Sequence, residues 1–338
     1  MATVYLKEQG AVLRKRGQRL VVTKEDQELM EVPLIHVDQV AVLGNVQVTT
    51  PAVATLLQNQ VDVVFFSRYG KFRGRLTHTG SKFARLRQAQ LQKAADSEVA
   101  LSIARAVVGG KLANQRTILR RRAGELPPSP QQARIAQAIQ GIGRMLERTE
   151  GASSPEELRG YEGQAGACYF DAFRVLVPEE MHFQGRAYYP PPDPVNALLS
   201  FGYSLLLKDV TGAVQLVGLD AYLGFFHAVE YGRPSLALDV MEEFRPLIVD
   251  TLVLQLLGSR VITSADFVWT RDPKRPVHLS EGAVTLFLER YEERINTQVY
   301  HPGVQQQTSY RRCFELQVRQ VARIMLDKAT AYRPLIAR

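Results

Sequence analysis

The sequence predicts a multidomain α+β protein in which an N-terminal β-sheet domain precedes a larger all-α catalytic domain. Up to about residue 80, short segments rich in Val, Ile and Phe alternate with turn residues, which is typical of strands. Beyond that point apolar residues recur at three- and four-residue spacing, which is typical of amphipathic helices. A length of 338 residues is enough for two domains with separate cores. We therefore expect a β domain over residues 1–80 and a helical domain over residues 81–338.

The β domain is predicted to combine two sheets with one helix. Thr50 followed by Pro51 predicts the start of that helix, because proline suits the first helical turn, and it ends near Gln60. The segments between Gly, Asn or charged turn residues supply the strands. We predict strands at 3–6, 11–13, 19–23, 32–35, 39–43, 46–49, 61–67 and 71–77.

Helix breakers divide the second domain. Gly109-Gly110 predicts a break, and the segment 188–194 predicts a loop because successive prolines exclude a helix interior. Gly232 and Pro234 predict the end of one helix and the start of the next. The expected helices cover 81–108, 111–123, 131–148, a segment from 155, 196–207, segments on both sides of 232, 251–257, 281–296 and 310–331.

A candidate metal site begins at His227, where one imidazole and several carboxylates interrupt a mostly apolar stretch. Asp239 lies three residues before Glu242 and four before Glu243, so either pair projects from one helical face. Ionised carboxylates held side by side repel each other unless a cation or a base neutralises them. A divalent cation is the simplest partner for such a cluster.

Glu162 is the best upstream candidate for a further ligand. Ser154 and Pro155 predict that a helix starts just before it, since serine caps a helix and proline suits the first turn. Gly163 and Gly166 remove side-chain bulk from the turns that follow, although glycine costs about 1 kcal/mol in a helix interior. We therefore expect a close approach to that backbone.

Four segments carry a recognisable combination of residues in a fixed order. They are Tyr161-Glu162-Gly163 with Ala165, Asp193-Pro-Val-Asn196, Gly218-Leu-Asp220 leading to His227, and Gly232-Arg-Pro-Ser-Leu-Ala-Leu-Asp239-Val-Met-Glu242. Together they resemble the CRISPR-associated integrase family, the universal endonuclease-like protein of spacer acquisition. Segments 40–48 and 64–67 resemble it too, so the likeness covers nearly the whole chain. Ala221 replaces a proline of many relatives, which affects a helix start and leaves the ligands unchanged.

The resemblance implies that Glu162, His227 and Glu242 are the catalytic metal ligands, with Asp239 as an accessory acid. Carboxylates suit Mg²⁺ and Mn²⁺, and an imidazole shifts the preference toward Mn²⁺. It also implies a homodimer formed through the β domain, and two such dimers flanking a small second CRISPR adaptation protein. The implied reaction inserts short double-stranded DNA fragments with free 3′ hydroxyls into a repeat array by transesterification.

Several other residues receive two interpretations. Asn196, Tyr169 and Arg245 either orient ligands and phosphate or tie a loop to a helix. Asp220 is expected to cap a helix that carries His227. Glu243 is expected to face solvent or to pair with Arg245.

Positive charge is concentrated in two clusters, of which the second consists of Arg105, Lys111, Arg116, Arg120, Arg121 and Arg122. Eight Lys or Arg residues and no acidic residue lie between Arg68 and Ala95, which equals the net charge of +8 of the whole chain. A basic cluster is usually a solvated face, but aromatic residues interleave with this one, so we favour contact with a DNA backbone. The residues predicted to contact DNA are Arg68, Lys71, Arg73, Arg75, Arg120, Arg121 and Arg122.

Two other functions use the same residues. One is a stand-alone metal-dependent endonuclease acting on branched DNA, and the other is a DNA-binding scaffold without catalysis. Retention of all three ligands argues against the scaffold. No apolar run of about 20 residues and no signal peptide are found, so we expect a cytoplasmic protein of a prokaryote with no membrane partner.

Overall fold

A computed structural model describes residues 3–25, 27–68, 72–77, 83–187, 189–274 and 276–337. The chain divides into two compact units, residues 1–82 and residues 83–338. We call them the β unit and the helical unit. Strands dominate the first and helices the second, which confirms the predicted fold class.

The β unit contains two four-stranded sheets. In one, β5 pairs in parallel with β1 and β7, while β8 is antiparallel to β7. In the other, β3 lies between β4 and β2, and β6 pairs with the other side of β2. Buried aliphatic residues of both sheets and of the helix form one core. The elements are β1 Thr3–Leu6, β2 Val12–Arg16, β3 Arg19–Lys24, β4 Gln27–Pro33, β5 Gln39–Leu43, β6 Gln47–Val48, α1 Thr50–Gln58, β7 Asp62–Phe66 and β8 Phe72–Leu76.

The fourth strand differs most from its prediction. It covers Gln27–Pro33 rather than 32–35, and Leu34–His36 instead form one turn of 3-10 helix. Strand β4 is an edge strand whose first four residues are exposed, so it lacks the apolar pattern by which buried strands are recognised.

The helical unit contains nine α-helices and two short hairpins within the residues described. Its helices are α2 Ala84–Ala95, α3 Ser97–Gly124, α4 Pro130–Glu150, α5 Pro155–Arg174, α6 Pro194–Val217, α7 Ser235–Met241, α8 Thr251–Gly258, α9 Glu281–Ile295 and α10 Tyr310–Met325. The hairpins pair β9 Phe267–Trp269 with β10 Val277–Leu279 and β11 Gln298–His301 with β12 Gln306–Ser309. A short π-helix, Arg245–Asp250, precedes α8.

Helix α6 is longer than the predicted 196–207, and it lies in the core of this unit. Its composition and length would allow it to cross a membrane, but 67% of its most apolar window is buried inside the protein. Asp193 caps it by accepting a hydrogen bond from the Asn196 backbone N–H at 2.8 Å.

The predicted break at Gly109-Gly110 is wrong. Helix α3 runs through both glycines, and the break lies at Asp96, whose carboxylate accepts hydrogen bonds from the Glu98 and Val99 N–H groups. A Cβ on Gly110 would lie 2.4 Å from Cβ of Pro334. The glycine therefore permits a close approach of the C-terminal segment rather than a helix break.

That segment follows α10, which ends at Met325 rather than at the predicted residue 331. Asn114 holds it to α3. Its Nδ2 donates to the Leu335 carbonyl at 2.8 Å, and its Oδ1 accepts from the Ala337 N–H at 2.9 Å.

We predict that Gly110→Ala destabilises the protein by about 1–3 kcal/mol, because overpacking at Pro334 outweighs the helix propensity of alanine. Gly160→Ala is the matched control, since a Cβ there meets no atom within 4 Å and the residue also lies within a helix. Urea unfolding measures both. Equal stability of Gly110→Ala and the unchanged protein would contradict the close approach.

Candidate metal centre

His227 lies on a loop, so the predicted helix before Gly232 is wrong, whereas the predicted helix after it is confirmed as α7, which begins at Ser235. In the described segment between α6 and α7, residues 218–234 form turns and bends. Gly218 ends α6 with a φ of 98°. Asp220 accepts a hydrogen bond from the Tyr222 N–H at 2.8 Å, so it stabilises a turn and caps no helix. A Cβ on Gly224 would lie 2.6 Å from the Ser235 backbone, which shows how closely this loop packs on α7.

Asp239 holds that loop in place. Its carboxylate accepts hydrogen bonds from the backbone N–H groups of Phe225, Phe226 and His227 at 2.6, 3.1 and 2.9 Å. Its Oδ1 also lies 2.7 Å from Nδ1 of His227. Because a carboxylate only accepts, Nδ1 carries the proton in this contact, and Nε2 is the ring nitrogen that could bind a metal. Asp239 is therefore placed to orient a ligand.

Glu162 and Glu242 meet at a third side chain, Lys111. The lysine Nζ donates a hydrogen bond to Glu162 and lies 2.7 Å from Oε2 of Glu242. The other Glu242 oxygen lies 3.6 Å from Nε2 of His227 and 3.1 Å from Nε of Arg245. The sequence assigned Lys111 to the second basic cluster and did not place it at this site.

Glu242 is ionised despite its burial. Its side chain is 4% exposed, and this desolvation opposes ionisation. The positive charges of Arg245 and Lys111 outweigh it and lower the pKa of Glu242 to about 2. Its Oε2 lies within ion-pair distance of Lys111 but has no well-directed hydrogen bond among the described residues.

These residues fit a divalent cation. Two carboxylates and one imidazole nitrogen are suitable donors for Mg²⁺ or Mn²⁺. Across the part of the chain that the structure describes, no three ligating side chains form a preassembled metal cluster. Lys111 accounts for this, because its ammonium stands between the two carboxylates. The site already holds one positive charge at the place where the ligand set predicts a cation.

Arg245 connects Glu242 to a buried polar cluster. Its guanidinium carbon lies 4.7 Å from the centre of the Tyr203 ring, a cation–π arrangement. Tyr203 and Tyr169 donate hydrogen bonds to Asp250 at 2.5 and 2.9 Å. Tyr169 is fully buried, so it ties α5 to the π-helix and has no access to a phosphate.

Asn196 ties a loop to a helix, the second of its two predicted roles. Its side chain bonds to the Gly185 carbonyl, the Ala187 N–H and Nη1 of Arg186, at 2.9, 2.9 and 2.8 Å. This places the Arg186 guanidinium 5.4 Å from the Tyr203 ring centre. Arg186 was missed from the sequence, although it is the sole Lys or Arg between Arg174 and Lys208.

The expectation that Glu243 faces solvent or pairs with Arg245 is wrong. Its carboxylate is buried and accepts hydrogen bonds from Gln317 and Tyr332 and from the Leu335 N–H. These donors favour the ionised form, but burial outweighs them and raises the pKa of Glu243 to about 8. Glu243 therefore faces the C-terminal segment, on the side of the chain opposite to the cleft.

The cleft at these residues is lined by charges of both signs. Its basic residues are Lys111, Arg186, Arg233 and Arg245, its acidic residues are Glu162, Glu230, Glu242 and Asp250, and the fully exposed Tyr231 also lines it. A cleft that combines carboxylates with Lys and Arg suits a polyanion that binds a metal through its phosphate.

The predicted DNA-contacting residues of the β unit divide into three groups. Arg68 and Arg73 are exposed, as a phosphate contact requires. Lys71 lies outside the described residues. Arg75 does not fit, because its side chain is 6% exposed and forms an ion pair with Asp62 on the neighbouring strand. We therefore remove Arg75 from the basic surface.

The arginines of the second cluster that are predicted to contact DNA lie at the C-terminal end of α3. Arg120 and Arg121 are exposed, and Arg122 pairs with Glu125 at 2.8 Å. They follow Lys111 by nine or more residues on the same helix, about 14 Å along its axis. That distance corresponds to about eight phosphates of a duplex, counted over both strands, at one charge per roughly 1.7 Å.

Comparisons with known proteins identify the class. Residues 4–293 match the family model described as CRISPR associated protein Cas1. A CRISPR-associated endonuclease Cas1 of Thermus thermophilus is 36% identical over 100% of this chain and 98% of its own length. The chain therefore belongs to the Cas1 family of CRISPR-associated proteins.

Two solved structures have the same fold. The Cas6-RT-Cas1–Cas2 complex superposes with a TM-score of 0.86 and 23% identity over 100% of this chain and 36% of that one. A casposase bound to integration product superposes with a TM-score of 0.82 and 24% identity over 98% of this chain and 93% of that one.

We predict that the Asp250 carboxyl makes stability depend on pH. Burial raises its pKa to about 6 from an ordinary value of 3.8, so the folded protein binds this proton more tightly than the unfolded chain. Stability from this group is complete below about pH 4 and is lost as the pH rises to about 6, by roughly 3 kcal/mol at most. Asp250→Asn removes that slope from urea unfolding curves. An unchanged slope in the variant would assign it to another group.

Proposed function

We propose that this protein is a metal-dependent DNA integrase that inserts short double-stranded DNA fragments into a CRISPR repeat array. The observation that carries the proposal is the convergence of Glu162 and Glu242 on the buried ammonium of Lys111, with Nε2 of His227 3.6 Å from Glu242, in a cleft that Arg186, Arg233 and Arg245 also line. Family membership places this cleft in a protein of CRISPR adaptation. We assign these three residues as ligands of one Mg²⁺ or Mn²⁺ ion.

When bound, the metal would polarise the scissile phosphate and stabilise charge on the leaving 3′ oxygen. The protein's own residues have separate tasks. Asp239 fixes the imidazole, and Arg186 and Arg245 border the cleft where a phosphate would bind. The nucleophile is the 3′ hydroxyl of the incoming DNA. One phosphodiester replaces another, so the step is nearly thermoneutral and needs no nucleotide cofactor.

We infer that the protein acts in the cytoplasm as a homodimer formed through its β unit. Exposed Leu29, Met30 and Ile35 on and beside edge strand β4 offer an apolar surface for such pairing. A small second adaptation protein would join two dimers. The name of the Cas6-RT-Cas1–Cas2 complex supports a partner of this kind.

A second candidate function is hydrolytic cleavage of branched DNA by the same site. The Thermus thermophilus relative is named an endonuclease, which favours it. Hydrolysis differs only in the nucleophile, since water takes the place of the 3′ hydroxyl.

Alanine at Glu162, His227 or Glu242 is predicted to abolish strand joining and to weaken Mn²⁺ binding at least about 100-fold, because each removes a ligand. Glu156→Ala is the matched control, since this exposed glutamate lies one and a half turns earlier on α5. Strand joining into a repeat-bearing plasmid and Mn²⁺ titration give the two readouts. Full activity of Glu242→Ala would reject the ligand set.

Fragments that end in 3′ dideoxy nucleotides are predicted to give no joined product, because the proposed nucleophile is missing. Cleavage of a branched DNA substrate should be unaffected by the change in a fragment end, which separates the two candidate functions. Gel analysis of the plasmid measures both. If dideoxy fragments are joined, direct transesterification is wrong and a covalent protein intermediate must be sought.

A further inference from the structure

Lys111 occupies an unusual place for a lysine. Its side chain is 13% exposed, and its ammonium contacts both Glu162 and Glu242, which come from separate parts of the chain. Helix α3 supplies the lysine, α5 supplies Glu162, and Glu242 follows directly after α7. Three segments thus bring one cation and two anions to a single point at the base of the cleft.

The contact has a clear electrostatic reason. Two carboxylates taken out of water next to each other repel and resist ionisation, and a cation between them offsets both effects. A divalent metal would do the same with the same oxygen atoms. The ammonium and the metal are therefore alternatives, since Glu162 Oε1 and Glu242 Oε2 cannot give their lone pairs fully to both.

We propose that Lys111 is an internal competitor of the metal: it neutralises Glu162 and Glu242 in the metal-free protein and must release them when the ion binds. The inference rests on the proposed metal site. Lysine suits this task because its charge is carried on a flexible four-carbon stem, and because Lys111 lines the cleft into which it can turn. The lysine keeps the empty site folded, and its displacement weakens the affinity for the metal.

Lys208 provides a matched control within the chain. It is another buried lysine in contact with a carboxylate, 3.1 Å from Oδ1 of Asp209. That carboxylate also accepts a hydrogen bond from Tyr291 at 2.8 Å, and Lys208 is absent from the lining of the metal cleft. Loss of this ammonium removes a buried charge in the same way and leaves the metal site unchanged.

The experiment titrates Mn²⁺ alone into each protein at a pH of about 8, where Glu242 is ionised, and follows free Mn²⁺ by electron paramagnetic resonance. We expect Lys111→Met to bind Mn²⁺ at least about ten-fold more tightly than the unchanged protein, because the hydrogen bond to Glu162 and the ion pair with Glu242 no longer compete. Lys111→Arg keeps the charge and should bind no more tightly than the unchanged protein. Lys208→Met should leave the affinity unchanged.

Thermal unfolding supplies a second readout. Metal-free Lys111→Met should melt at a lower temperature than the unchanged protein, because two buried carboxylates lose their counter-ion. Mn²⁺ should reduce this difference in melting temperature. Lys208→Met should melt lower with and without Mn²⁺. If Lys111→Met does not fold without metal, Lys111→Gln, which keeps one hydrogen-bond donor, replaces it under the same expectations.

An affinity of Lys111→Met that is equal to or weaker than that of the unchanged protein would overturn the competition while leaving the metal site standing. Failure of the metal site has a different signature. In that case Glu242→Ala would bind Mn²⁺ as well as the unchanged protein, and the competition would be rejected with it.

Discussion

The candidate site depends on one carboxylate that is not itself a proposed ligand. Asp239 accepts three backbone N–H groups from the loop that carries His227, and it also contacts the imidazole. Four contacts to one buried group give the loop a single position, although turns alone would leave it several. Because Asp239 and Glu242 lie three residues apart, the same short segment places the histidine and supplies the acid that faces it.

Three buried acids within five residues keep separate roles because their partners differ. Asp239 accepts hydrogen bonds from backbone N–H groups, whereas Glu242 forms ion pairs with Lys111 and Arg245. Glu243 accepts hydrogen bonds from neutral donors of the C-terminal region. The pKa of Glu242 is accordingly held low and that of Glu243 is raised. A cation nearby offsets the cost of burial, whereas neutral donors offset only part of it. Of these three acids, Glu242 is the one that lines the cleft as a carboxylate paired with cations.

Local signals in the sequence correctly predicted structural features that depend only on residues close in sequence. Ser154 caps the helix that carries Glu162, as predicted, because a cap needs only the next few residues. Features decided by distant partners were mispredicted. Gly110 was predicted to break a helix, but it allows the close approach of Pro334. Arg75 was predicted to be a surface charge, but it is buried in an ion pair with Asp62. The family motif predicted a ligand set but gave no sign of Lys111, whose contacts are with two carboxylates distant in sequence.

Helix α3 contacts both the candidate metal site and the C-terminal segment. Gly110 and Asn114 lie four residues apart and so share the face that receives the C-terminal segment, while Lys111, between them in sequence, points to the carboxylates. A shift of this helix would therefore disturb the ligands and the C-terminal contacts together. Asn114 strengthens that coupling, because its Nδ2 also donates to the carbonyl of Glu243, the residue next to Glu242. The geometry of the candidate metal site is thus coupled to a C-terminal segment whose described residues do not line the cleft.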